Sequence, residues 1–132
     1  MNDTKDKFRN VILCEDIRDE VGAKRSLMGV FGGDIVVQSL PAQIQIAAYI
    51  EYIPDVSNGE RVTFDIRMMR DDTEMMKAHA VAPMEHGKPA TLILPRGLAT
   101  FEKNCTLRLL IAVNGGAEIE ILSKRIQQGP IS

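Results

Sequence analysis

Val62-Thr63-Phe64-Asp65-Ile66-Arg67-Met68 sets an apolar side chain at every second position and a polar one between. Successive side chains of an extended chain point to opposite faces. The stretch therefore reads as a strand with Val62, Phe64, Ile66 and Met68 buried and Thr63, Asp65 and Arg67 toward water. Met76, Ala78, Ala80 and Ala82 repeat this parity after Arg70-Asp71-Asp72, which predicts a hairpin joining 62–69 to 74–82. Large side chains facing alanines interdigitate well. A three-residue loop pairs Asp65 with Lys77, whereas a five-residue loop pairs Met68 with Met76 but sets Arg67 against Lys77. Like charges directly opposite are unfavourable, so the shorter loop is expected.

Outward from this hairpin the same period recurs, broken at short intervals by turn residues. Ile44, Ile46, Ala48, Ile50 and Tyr52 alternate with Gln43, Gln45 and Glu51, and Pro41 and Pro54 bound them to one strand. Further strands are expected at 10–16, 26–31, 33–38, 90–94, 98–103, 106–113 and 117–126, some of them parts of one bent strand. Near the C-terminal end, a three-residue loop of Asn114-Gly115-Gly116 pairs Val113 with Ala117, Ile111 with Ile119 and Leu109 with Ile121. Gly116 is expected to supply the left-handed conformation that such a loop needs. Gly29, Gly32 and Gly33 mark a bulge, a bend or a close backbone approach. A phosphate loop would instead need a helix after them, and Asp34-Ile35-Val36-Val37 continues as strand. The pattern is that of an all-β protein, an antiparallel two-sheet sandwich of immunoglobulin-like or C2-like type. Its length suits a single domain over 1–132, with flexible termini at about 1–8 and 127–132 and a surface loop from Ile17 to Arg25.

The chain is 45% hydrophobic and 26% charged, which excludes a largely disordered protein. The net charge is −2 and basic residues are scattered, so no nucleic-acid footprint is present. The polar N-terminal segment and short apolar runs carry neither a secretory signal nor a membrane span, which implies a cytoplasmic protein without membrane insertion. Cys14 and Cys105 lie in separate apolar segments and read as buried thiols, in surroundings that disfavour a thiolate.

Acidic residues cluster at Glu15, Asp16, Asp19 and Glu20, and again at Asp71 and Asp72, with basic neighbours in both cases. Calcium needs six to eight converging oxygens, so solvated loops are the simpler reading, with metal binding left open. His79 falls beside Asp65 on a polar face and His86 lies in a loop; neither has a partner at zinc-ligand spacing. GxSxG, Walker and HExxH motifs do not occur. No catalytic, cofactor or metal residue is assigned, and no cofactor is implied.

The segments Ile12-Leu13-Cys14-Glu15-Asp16-Ile17 and Leu27-Met28-Gly29-Val30-Phe31-Gly32-Gly33-Asp34-Ile35, followed by Pro41, resemble the opening third of a family of small bacterial proteins catalogued as a domain of unknown function. The resemblance implies a bacterial, stand-alone domain and brings no site residue with it.

These observations favour a non-catalytic protein-interaction module, binding another protein or a second copy of itself. A sandwich that binds a small ligand or a metal ion is the alternative, and an unrecognised enzyme the third possibility. The surface expected to carry association is the face opposite the core, at Met69, Met75 and Val81 of the middle hairpin and Leu110 and Leu122 of the last. If both hairpins share a sheet, these five residues form one apolar patch, of a kind monomers avoid unless it binds something. The competing expectation is that the C-terminal tail or the Ile17–Arg25 loop covers it.

Overall fold

A computed structural model describes residues 7–129. Over these the chain forms nine strands: β1 (Phe8–Glu20), β2 (Lys24–Val30), β3 (Ile35–Val37), β4 (Ala42–Tyr52), β5 (Arg61–Arg70), β6 (Thr73–Pro83), β7 (Ala90–Phe101), β8 (Cys105–Val113) and β9 (Ile119–Gln128). They make two sheets, of order β2-β1-β4-β7 and β3-β9-β8-β5-β6. The architecture is the expected β-sandwich, with one departure: β3 runs parallel to β9, through Ile35↔Ile126 and Val37↔Gln128, and every other pairing is antiparallel. Among the described residues, no helix is long and apolar enough to cross a membrane.

The alternating strands meet face to face. Phe64 and Ile66 of β5, Leu107, Leu109 and Ile111 of β8 and Ile126 of β9 pack against Leu13, Ile46, Ile50 and Phe101 of the opposite sheet, all of them buried. Phe8, Tyr52 and Phe64 run from one sheet to the other with ring centroids 5.1 Å apart at each step, in tilted and edge-on geometries that suit the ring quadrupole. β8 reads as a nearly continuous apolar run because both its faces are covered: Leu110 and Ala112 on the outer side are buried along with the inner residues.

Several expectations are corrected. The supposed loop Ile17–Arg25 is mostly a two-stranded ribbon, since β1 continues to Glu20 and β2 begins at Lys24, leaving Val21 to Ala23 as the turn. Charged residues belong there because the ribbon extends beyond the pairing of β1 with β4, and both its faces are wet. Parts of the termini expected to be flexible lie in strands, since β1 begins at Phe8 and β9 runs to Gln128. Phe8 pairs with Tyr52, and Gln127 and Gln128 pair with Val36 and Val37. Residues 1–6 and 130–132 of those termini lie outside the described residues.

The middle hairpin has Met68 opposite Met76 and Arg67 opposite Lys77, not Asp65 opposite Lys77. The like-charge pair is tolerated because Arg67 contacts Glu118 at 2.5 Å and Glu74 at 3.4 Å. In the last hairpin Ile111 faces Ile119 as expected, but a bulge then sets Leu109 against Leu122 in place of Ile121. Its turn takes the left-handed conformation at Asn114 and Gly115, not at Gly116, and Gly116 N–H donates to Val113 O at 3.0 Å. Both central residues at positive φ match the twist of the flanking strands.

Candidate functional site

The five residues expected to form the association patch do share one sheet, but bulges disperse them. Met69 and Leu110 lie on the outer face yet are only 7% and 9% exposed. Met69 pairs with Arg108 and Glu74, and Leu110 with Arg67 and Glu120; these long side chains have apolar stems that cover a neighbour while their heads stay in water. The heads form a lattice of Arg67 with Glu118 and Glu74, and Arg108 with Glu120 at 3.7 Å. Val81, 42% exposed, is on the outer face as expected. Met75 and Leu122 are not: Met75 is the extra residue of a bulge between the pairs Met68↔Met76 and Met69↔Glu74, and Leu122 is carried inward by the bulge in β9. Both pack against the core.

The apolar opening lies elsewhere, at the side where the edge strands β6 and β7 face each other without pairing. β7 carries a bulge there, with Pro95 and Arg96 opposing Ala47 alone between Leu94↔Ala48 and Gly97↔Ile46. A proline lacks the N–H a ladder needs, so an edge bulge is where it fits. The Met75 bulge of β6 lies across from it. Bulges bend their strands and redirect side chains, and between these two the sheets part around a cleft of about 440 Å³. Its lining includes Met68, Met75, Met76, Ile46, Leu94 and Leu98. Leu98 stands at the rim, 66% exposed.

Arg70 closes one end. It pairs with Leu107, whose side chain is buried between the sheets, so Arg70 also points inward, and its Nη1 donates to Thr100 O of β7 at 2.7 Å. The site is not legible in the sequence because its residues come from four strands. The signals present were Pro95 and Gly97, which interrupt an alternating run, and the four methionines bracketing the β5–β6 turn.

The residues weighed for chemistry are placed as follows. His79 Nδ1 lies 2.7 Å from Asp65 Oδ1 across the β5–β6 pair, on an exposed face. His86 sits in the β6–β7 connection, its N–H donating to Asn58 Oδ1 at 2.7 Å and its Nδ1 lying 3.1 Å from Val56 O. Both cysteines are buried free thiols, and burial pushes both away from the thiolate. The Cys14 thiol donates to Asp16 O at 3.3 Å. Asp71 Oδ1 accepts from Thr106 N–H at 3.0 Å, and Asp19 and Glu20 are engaged by Arg25 and Ser26. Among the described residues, no three His, Cys, Asp or Glu side chains converge as metal ligands. One polar cluster was not anticipated. Tyr49 O–H and Asn10 Nδ2–H donate to the two oxygens of Glu51 at 2.7 and 2.6 Å, which lowers the carboxyl's pKa and raises the phenol's.

A comparison with models of known protein families finds no match, and a search of curated proteins finds no relative.

Proposed function

We propose that the protein is a non-catalytic binding module that grips an extended segment of a partner polypeptide along the open side between β6 and β7. The observation that carries this reading is the pair of facing bulges that hold the sheets apart over a methionine-lined cleft. Methionine side chains are flexible and polarisable, and they adapt to varied apolar guests. The unpaired edges of β6 and β7 present backbone N–H and C=O groups beside the cleft, which an extended polypeptide can satisfy. The volume also lies within the range of small-molecule pockets, which favours a small apolar ligand as the second reading.

Selection from a displayed library of random dodecapeptides tests the proposal, with the wild type and Leu98→Glu as parallel baits. The wild type should enrich peptides with apolar residues at alternate positions, and Leu98→Glu, altered at an exposed rim position, should fold normally and lose them. Enrichment unaffected by Leu98→Glu would remove the cleft from the mechanism. An absence of enrichment together with saturable uptake of decanol would assign the cleft to small apolar ligands.

A further inference from the structure

We propose that Arg70 is a carboxylate anchor, and that the segment received by the cleft is the C-terminal end of a partner chain with an apolar last residue; this rests on the binding role assigned to the cleft above. Arg70 builds a wall across the fold. Arg70 and Thr100, joined by the 2.7 Å hydrogen bond, border both the methionine-lined cleft and a second depression of about 410 Å³ that also contains Asp71, Asp72, Glu102 and Lys103. The bridge between β5 and β7 therefore separates two spaces. An extended segment lying in the cleft meets the guanidinium end-on and has to stop or turn out there. A chain that stops delivers its terminal carboxylate to that guanidinium, with its last side chain among the methionines.

The charges around the site agree. Arg67 is occupied by Glu118 and Glu74, Arg96 contacts Asp16 at 3.7 Å and Arg108 contacts Glu120. Glu74, the carboxylate lining the cleft, is thus already matched by Arg67. Among the described residues, no carboxylate lies within ion-pair distance of Arg70, whose side chain is partly buried. Among the described residues, only the one hydrogen bond to Thr100 O engages its fork of five N–H donors. A planar guanidinium accommodates a carboxylate with two parallel hydrogen bonds, and such charge-assisted bonds are stronger beside apolar walls than in water. A chain continuing past Arg70 would enter a depression where three carboxylates, Asp71, Asp72 and Glu102, outnumber the one ammonium of Lys103.

The test uses random hexapeptides ending in Leu, Met, Val or Phe, each made as the free acid and as the C-terminal amide, with binding followed by fluorescence anisotropy. Wild type should bind the acids about tenfold or more tightly than the amides, the size expected of a charge-assisted hydrogen bond. In Arg70→Gln the two forms should bind alike, and Arg70→Lys should keep part of the preference. Leu98→Glu should weaken both forms together. Equal binding of acid and amide by the wild type would overturn the anchor while leaving the cleft in place. An acid preference that survives Arg70→Gln would also overturn it. No binding of either form would end both readings. The acid-to-amide comparison is made on the wild type, so it decides even if Arg70→Gln fails to fold.

Discussion

Two residues show how local chemistry constrains this chain. Gly29 sits at φ +65° opposite Glu15 in the ribbon, and a Cβ there would overlap the Glu15 carboxylate. Gly29→Ala should cost about 1 kcal/mol or more from the left-handed backbone, seen as a lower urea midpoint at unchanged slope. Adding Glu15→Ala should recover only the part due to contact. A Gly29→Ala variant as stable as wild type would mean that the ribbon relaxes freely. The Glu51 and Glu118 carboxyls are held below the usual glutamate range, the first by the Tyr49 phenol and Asn10 amide and the second by the Arg67 guanidinium. A carboxyl with a depressed folded pKa adds stability above its unfolded pKa of about 4.3. That stability disappears as pH falls through the lower folded values. Glu51→Gln and Glu118→Gln should therefore lower Tm slightly at pH 7 and not at pH 2. A Tm difference that is constant from pH 7 to pH 2 would contradict this origin. Burial parity was legible at this scale: Val62, Phe64, Ile66 and Met68 are all inward and buried, as alternation requires.

At the level of elements, what the sequence could not disclose follows from the bulges. One extra residue flips the parity of everything beyond it. Leu122, beyond the bulge in β9, therefore turns inward, and Met75, itself the extra residue of the β6 bulge, packs against the core, although simple alternation puts both outside. The bulge at Pro95 is the case where a sequence signal existed, and it marks the cleft. The ribbon of β1 and β2 was read as a loop because its charge pattern follows solvent on both sides. Protection should follow sheet position, because β8 and β5 are flanked by strands on both sides, while β2 pairs only with β1. Hydrogen exchange should be slowest at Leu107 to Ile111 and Phe64 to Met68, and fastest among the strands at Lys24 to Met28. Equal protection of β2 and β8 would show that the ribbon does not open independently.

For the whole molecule, the two-layer architecture was legible from turn spacing and period-two alternation alone. The location of the cleft was not, because it depends on which strands end up as edges. Around Met69 and Leu110 the outer face of the five-stranded sheet is covered by Arg67, Arg108 and their carboxylate partners, so these two residues belong to a covered layer. Met69→Lys or Leu110→Lys should destabilise the fold, since each buries a charge or strips the layer open, by roughly 1–3 kcal/mol. Neither substitution should change the sedimentation coefficient of the folded protein. A wild type that is dimeric and becomes a stable monomer with either lysine would restore this face as an interface.

The parallel pairing of β3 with β9 has a consequence for synthesis on the ribosome. Ile35 to Val37 leave the exit tunnel early, but among the described residues their one strand partner, Ile126 to Gln128, follows the other eight strands in the chain. Once β8 has emerged, its side opposite β5 is an uncovered edge until β9 follows. β3 thus stays without this partner while β4 to β8 are made, whereas β8 is open only for the short interval before β9 follows it and enters between β3 and β8.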